Sequence, residues 1–294
     1  TSEDVNVQRR AWFSLYSLCK VRPGKMEGFA RKSAPVKVET SVEQAKELPT
    51  SGPLVSVLVP NYNHAPYLDA RISSILNQTY TSIEVLLMDD CSPDDSREVL
   101  TKWATQDDRV QLLFNETNSG SPFAQWAKGA EWAKGKYLWI AESDDFCELD
   151  MLALHVDALE RNAHAVLAYS HSHLVDEQGA FLRDFLDDYG FIFGDHSRWK
   201  QDFTGHGPTE VATTMVYSNT IPNASGVLFR KSAFDQTGAP QTCWKINGDW
   251  YFYANLLQHG DFVFHAQPRN KFRLHQRTQR KRAAASYTAF DEIL

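Results

Sequence analysis

Over residues 54–170, short runs of aliphatic and β-branched residues alternate with segments whose apolar positions recur at helical spacing. Residues 54–60 are apolar except for Ser56, the pattern of a strand buried on both faces. Residues 66–77 then place Leu68, Ile72, Ile75 and Leu76 along one helical stripe. A second buried strand is predicted over 83–88 and ends in Asp89-Asp90. Ser92-Pro93-Asp94-Asp95 combines an N-cap residue, a proline at the first helical position and acids in the first turn, so it predicts a helix running to about residue 104. Residues 110–114 predict a third strand, and 123–133 a helix closed by Lys134-Gly135. Residues 137–141 predict a fourth strand, which runs into Glu142-Ser143-Asp144-Asp145. Leu149, Leu152, Val156 and Leu159 mark a further helix, and 165–169 a further strand. The alternation predicts an α/β fold: an open, mostly parallel sheet flanked by helices on both faces.

Residues 171–222 lose this rhythm and are rich in aromatics, glycine and aspartate, so they are expected to form a long excursion or second lobe. Order returns with a strand at 226–230, a helix at 249–258 and strands at 262–264 and 271–274. Upstream, residues 8–20 predict a surface helix, and 22–53, with Pro23, Gly24, Pro35, Pro49, Gly52 and Pro53, a linker. The chain divides on this reading into a helical segment and linker (1–53), a main domain (54–280) with halves at 54–170 and 171–280, and a tail (281–294).

A hydrophobic fraction of 43% and a charged fraction of 23% fit a globular chain. The net charge of −7 disfavours a nucleic-acid partner, which calls for a basic face. It also means that an anionic ligand would need local compensation, from a basic pocket or a bound cation. Four widely spaced cysteines suggest neither a zinc site nor a disulfide framework and fit a reduced, cytoplasmic setting. No apolar run approaches the roughly 18 residues of a membrane span, so a peripheral position at the inner face of the membrane is the most membrane contact expected. The Asn-x-Ser/Thr triplets at Asn77, Asn115 and Asn223 read as chance matches.

Ligands of open α/β sheets bind beyond the carboxyl ends of the strands. There lie Pro60-Asn61-Tyr62-Asn63, Asp89-Asp90 and Asp144-Asp145. One acidic pair could merely cap a helix; two pairs with the Pro-Asn-Tyr-Asn turn, in this order, are harder to explain so. The first turn lacks G-x-G-x-x-G, which disfavours a dinucleotide-binding dehydrogenase.

The segments VSVLVPNYNHAPYL, SILNQTY, IEVLLMDDCSPDDS and GKYLWIAESDD, followed by NASGVLFRKSAF, NGDWYFYANLLQHG and FRLHQRT, resemble the inverting family 2 glycosyltransferases of the GT-A fold over about residues 54–278. The likeness is to modules of bacterial enzymes that build surface polysaccharides. It implies a nucleotide-binding half at 54–170 and an acceptor-binding half at 171–280, with a UDP- or dTDP-sugar as donor. A glycan or lipid-linked oligosaccharide would be the acceptor, rhamnose, hexose or N-acetylhexosamine the sugar moved, and further domains of a longer chain could be partners. Asp90 would accept a hydrogen bond from the N3–H of a uracil or thymine, because a carboxylate only accepts. Pro60 and Tyr62 would wall base and ribose, with Asn63 near the nucleotide, while Asp89 could bind ligand or hold its own loop. Ser143-Asp144-Asp145 matches the D-x-D-type motif, with Glu142 where many members have Asp. Asp145 is then expected on a divalent metal, Mn²⁺ or Mg²⁺, and Asp144 on ribose or a metal-bound water, since the departing diphosphate needs a cation.

By the same resemblance Asp249 is the base that deprotonates the acceptor hydroxyl, although the position could also cap a helix. The family's usual Glu-Asp is Gly-Asp here. His275 would sit on metal or diphosphate. Lys128, Asn223, Trp250 and Arg273 are candidates for acceptor or phosphate contact, as are Arg277 and Arg280 for phosphate. Trp199, Trp244 and Tyr217 could stack on sugars or pack in the core. The segment Gly120-Ser121-Pro122 to Lys128 departs from the family's Gly…Arg-Asn pattern. A Gln-x-x-Arg-Trp motif is absent, which favours short additions over processive synthesis. The competing readings are a non-catalytic nucleotide- or glycan-binding module and a nucleotidyltransferase on a related sheet.

Overall fold

A computed structural model describes residues 48–187, 197–244 and 247–275. The expected helix at 8–20, most of the linker, Arg277, Arg280 and the tail lie outside the described residues. No helix among the described residues is long and apolar enough to cross a membrane.

The first half follows the expected alternation: β1 (Val55–Asn61), α1 (Ala65–Leu76), β2 (Ile83–Asp89), α2 (Ser96–Ala104), β3 (Val110–Phe114), α3 (Pro122–Trp132) and β4 (Tyr137–Ile140). After the short β5 (Phe146–Cys147) come α4 (Met151–Arg161) and a long β6 (Ala165–Val175). The excursion contributes β7 (Phe181–Asp184), β8 (Phe203–Gly205) and the short α5 (Gly207–Glu210). The chain then returns through β9 (Val227–Arg230), α6 (Lys231–Thr237), α7 (Gly248–Leu256) and β10 (Asp261–Arg273). The two strands expected at 262–264 and 271–274 are one strand, irregular between His265 and Asn270.

All described strands join one sheet in the order β3-β2-β1-β4-β9-β6-β10-β5, with β7 on β6 and β8 on β10. The sheet is mixed rather than mostly parallel. β1 pairs in parallel with β2 and β4, but β9 lies antiparallel between β4 and β6. A hydrophobic run announces a buried strand but carries no sign of its direction, so periodicity could not show this reversal.

The period of two sorts the core. Val55, Val57 and Val59 pack with Leu68, Ile72, Leu100 and Val156, the inward faces of α1, α2 and α4. Leu58, Leu86 and Met88 face the other way, onto Phe123 and Trp126 of α3 and Phe252 of α7. The expected start of α2 at Ser92 moves to Ser96, and its N-cap residue Asp95 makes no side-chain cap hydrogen bond. Ser92 and Asp94 instead bond the loop after β1: Asn63 N–H donates to Ser92 Oγ (2.9 Å) and Ala65 N–H to Asp94 Oδ2 (3.0 Å).

Two histidines are buried in this core. His155 on α4 is fully buried, which holds its imidazole well below the usual value, and burial lowers His171 on β6 to about 4. An unfolded histidine titrates near 6.5, about where the unfolded chain begins to take up protons first. The contribution of these two histidines is therefore complete above about pH 6.5 and declines as pH falls, by about 1.4 kcal/mol per unit for each, until His171 itself titrates near pH 4. In melting curves between pH 7.5 and 5, the Tm of His155→Leu relative to wild type should rise as pH falls through about 6.5, because the variant lacks one of these losses.

Candidate functional site

β1 pairs with β2 on one side and β4 on the other, so the carboxyl ends of all three open into one crevice where the strand order reverses. The turns after β1 and β2 each pass through a left-handed residue, Asn63 (φ 61°) and Cys91 (φ 59°). For a residue other than glycine that conformation costs energy, and it persists only where neighbours fix it. Here the clamp is Ser92, whose Oγ accepts from Asn63 N–H and from Asn61 Nδ2 (3.2 Å).

The adjacent acids of β2 do different work. Asp89 is fully buried and accepts from Asn61 Nδ2 (3.0 Å), Ser92 N–H (3.0 Å) and Arg97 Nε (2.9 Å). Burial pushes its carboxyl up, but these donors more than offset that and hold it below the usual range. Asp90 turns towards the loop before α3. Its Oδ1 accepts from Asn115 Nδ2 (2.7 Å), Ser119 N–H (2.9 Å) and Gln125 Nε2 (2.8 Å), and its Oδ2 from Ser119 Oγ (2.7 Å). The Oδ2 side keeps room for a donor from a ligand. Tyr62 is 43% exposed beside this turn, whereas Pro60 is buried inside β1 opposite Met88, so only Tyr62 presents a ring to solvent.

Beyond β4, three carboxylates crowd together. Burial first, then repulsion from Asp144 and Asp145, raises Glu142 to about 8; Trp126 Nε1 donates to its Oε1 (3.3 Å). Asp145 is 1% exposed and raised by burial and by Asp144. Its Oδ1 accepts from the Arg273 backbone N–H (2.9 Å) and its Oδ2 from Asn223 Nδ2 (2.9 Å). Burial also pushes Asp144 up, but His275, with Nε2 2.8 Å from its Oδ2, and the nearby His64 hold it below the usual range. The ligand atoms of His64, Asp144 and His275 all lie within 4.8 Å of one another.

Asp145, expected on a metal, accepts from β10 and from Asn223, and His64, Asp144 and His275 form a group of potential ligands among the described residues. His64 was missed because it follows the turn motif as an ordinary helix-preceding residue; its Nδ1 lies 2.9 Å from Ser143 Oγ, a pairing across 79 positions of chain that no local pattern reports. Ser119 and Gln125 were likewise not singled out as partners of Asp90.

Several contact candidates are tied into the fold. Arg273 is 4% exposed: Nε donates to Asp144 O (2.7 Å), and Nη1 to Asp176 O (3.3 Å) and Glu177 O (2.7 Å), so its guanidinium is committed to backbone carbonyls rather than offered to phosphate. Asn223 holds Asp145 and caps the turn Ala224–Gly226 through Ser225 N–H (2.6 Å). Trp250 donates from Nε1 to Met215 O (3.0 Å) and packs against the core, and Trp199 is buried. Lys128 Nζ binds Asn115 Oδ1 next to Asp90, which leaves it near the crevice.

Asp249 lies in the first turn of α7, whose N-cap is Asn247, and its Oδ1 accepts from the Trp250 backbone N–H (2.7 Å), so it also serves the helix start. Gly248 precedes it because a Cβ there would collide with the Phe123 ring and Trp244 Cβ. That contact seats α7 on α3 and leaves no space for the glutamate expected at this position. Farther along α7, Phe252 packs edge-on against Trp126, whose Nε1 donates to Glu142, so the helix lies beside the acidic cluster.

A family model for glycosyl transferase family 2 matches residues 56–215. A glycosyltransferase of Haemophilus influenzae is 39% identical over 127 residues, 43% of this chain and 50% of that protein. TuaG of Bacillus subtilis, a glycosyltransferase named for teichuronic acid biosynthesis, is 31% identical over 210 residues, 71% of this chain and 73% of its own. TarS of S. aureus in complex with UDP superposes with a TM-score of 0.58 at 18% identity, over 76% of this chain and 61% of that one. A mannosyltransferase of Pyrobaculum calidifontis in complex with GDP-Man and Mn²⁺ gives 0.55 at 16% identity, over 91% and 67%. The chain thus spans half of the Haemophilus protein and under two thirds of the TarS chain. At such identities the structural likeness speaks to fold, and it is the GT-A-like fold expected from the sequence.

The division between Asp89 and Asp90 is measurable by unfolding. Asp89→Ala strips a buried acceptor from three donors and should lower stability by about 2–4 kcal/mol in urea titrations. Arg97→Ala, at a side chain 41% exposed, should cost clearly less than Asp89→Ala.

Proposed function

Because the chain belongs to glycosyl transferase family 2, we propose that it moves one sugar from a UDP- or dTDP-sugar to a hydroxyl of a glycan or lipid-linked acceptor, with inversion, in bacterial polysaccharide synthesis. What supports this reading is the Asp90 loop and the His64–Asp144–His275 cluster at the carboxyl ends of β1, β2 and β4, together with Asp249 in the first turn of α7, whose Phe252 packs on Trp126, the donor to Glu142. The complexes of TarS with UDP and of the mannosyltransferase with GDP-Man and Mn²⁺ support a nucleotide-sugar donor and a divalent metal.

Asp90 reads the base, accepting from its N3–H through Oδ2, while Tyr62 covers the ring. The cluster fits a divalent cation: two imidazoles and a carboxylate converge, and His64, Asp144 and His275 would hold it. Two nitrogen donors favour Mn²⁺ over Mg²⁺, which prefers oxygen ligands alone. When bound, the ion supplies Lewis-acid neutralisation of the departing diphosphate. Asp145 orients the cluster from behind, since its grip on Arg273 N–H fixes the chain two residues before His275.

Asp249 removes the proton of the acceptor hydroxyl as that oxygen bonds to the anomeric carbon. The bond from that carbon to the diphosphate oxygen breaks, its electron pair leaves with the diphosphate, and the proton stays on Asp249. One displacement from the opposite face inverts the centre.

Asp249→Asn should lower kcat by about 10²–10⁴ while the donor dissociation constant is unchanged; an undiminished rate would remove Asp249 from the chemistry. If wild-type chain binds the donor without any transfer, the non-catalytic reading gains. Manganese binding, followed by the EPR signal of free Mn²⁺, should weaken at least tenfold in His64→Ala and in Asp144→Ala. Affinities equal to wild type would refute the cluster as the metal site. UDP or dTDP should raise Tm only when Mn²⁺ is present.

A further inference from the structure

The outer side of α7 carries a feature that donor binding and proton transfer leave unused. A groove of about 350 Å³ runs between the end of α6 and one face of α7, lined by Gln236, Thr237, Gln241, Tyr251, Asn255 and Gln258 among others. Among the described residues that line it there is one histidine, His259, and no lysine, arginine or carboxylate. Tyr251, Asn255 and Gln258 follow at intervals of four and three residues, which places them on one helical face. The Tyr251 ring is 48% exposed and lies stacked on Trp244, at 5.7 Å between centroids and 19° between planes. The half-buried indole behind fixes the tyrosine as a flat platform.

We propose that this groove is a second carbohydrate site, which grips an uncharged stretch of glycan by stacking a pyranose on Tyr251 and hydrogen-bonding its hydroxyls through the amides. The chemistry selects that class. Sugar rings present an apolar C–H face to an aromatic plane and paired hydroxyls at their edge. Side-chain amides offer a donor and an acceptor in one plane, as such pairs require. Asn255 Nδ2 is committed to Tyr251 O (2.8 Å) and Gln258 Nε2 to Ala254 O (3.4 Å), which leaves both amide oxygens as acceptors for hydroxyl donors. With His259 the sole basic residue among the described lining, the groove offers little counter-charge to phosphate or uronate, which favours a neutral glycan over a nucleoside diphosphate or an acidic polymer.

Tyr251 follows Asp249 by two residues, about 200° around the helix, so the groove lies around α7 from the proton acceptor. With a helix diameter of roughly 10 Å, an acceptor several sugars long could occupy both. That the glycan is the acceptor rests on the proposed transferase reading; that the groove binds glycan does not.

The full chain titrated with maltohexaose, cellohexaose and N-acetylchitohexaose, followed by tryptophan fluorescence and calorimetry, tests this. At least one neutral hexamer should bind saturably with a dissociation constant in the micromolar to millimolar range. Tyr251→Ala should weaken it at least tenfold, Tyr251→Phe should retain it, and Gln258→Ala should weaken it several-fold. Trp132→Ala, which removes an indole 54% exposed on α3, should change nothing. Circular dichroism confirms folding of each variant. Saturable binding by none of the hexamers, binding that survives Tyr251→Ala, or equal binding of an oligogalacturonate would overturn the proposal. Transfer and UDP binding are measured separately: hexamer binding through Tyr251 in a chain that transfers no sugar would keep the groove and discard the transferase reading.

Discussion

Glu142, Asp144 and Asp145 leave the end of a buried strand within four residues, and much of the molecule is arranged around making that concentration of negative charge tolerable. Buried like charges repel strongly and pay desolvation besides. Each carboxylate therefore meets a donor from a different part of the chain: Trp126 for Glu142, His275 for Asp144, Asn223 and the Arg273 amide for Asp145. Arg71, fully buried over the Trp139 ring, adds a cation beneath that draws Glu142 and Asp145 back down. Part of the imbalance remains, and on the proposed reading a divalent cation completes it.

That requirement explains the sheet. β9 runs antiparallel beside β4 and follows directly on the turn holding Asn223 and Ser225, with Ser225 Oγ accepting from the Glu142 N–H (3.1 Å). β10 runs 13 residues, so that Arg273 reaches Asp145 and His275 emerges beyond it. A buried polar chain of Asp145, Asn223, Asn270 and Ser172 connects these strands. The second half of the domain is thus the source of the donors without which the first half would hold unpaired acids.

The local alternation of strands and helices was legible because burial on both faces leaves a periodic signature, and the crevice because its motifs stand at strand ends. What escaped was partnership. Asp89 and Asp90 are chemically identical neighbours, separated only by Arg97 on one side and Ser119 with Gln125 on the other. Arg273 looked like a phosphate ligand until its donors were found on three carbonyls. His64 carried no signal, because its meeting with Asp144 and His275 spans 80 to 211 positions of sequence.

By itself, then, the sequence determined the element types, the faces that meet the core, the family resemblance and the acids at the strand ends. These depend on composition and spacing within about 20 residues. Strand direction, the late start of α2, the pairing of each acid and the convergence of His64, Asp144 and His275 were decided only by tertiary structure. The physical reason is common to all four: a hydrogen bond or a ligand cluster is fixed by distance in space, and the chain reaches that distance from positions whose separation along the sequence carries no trace of it.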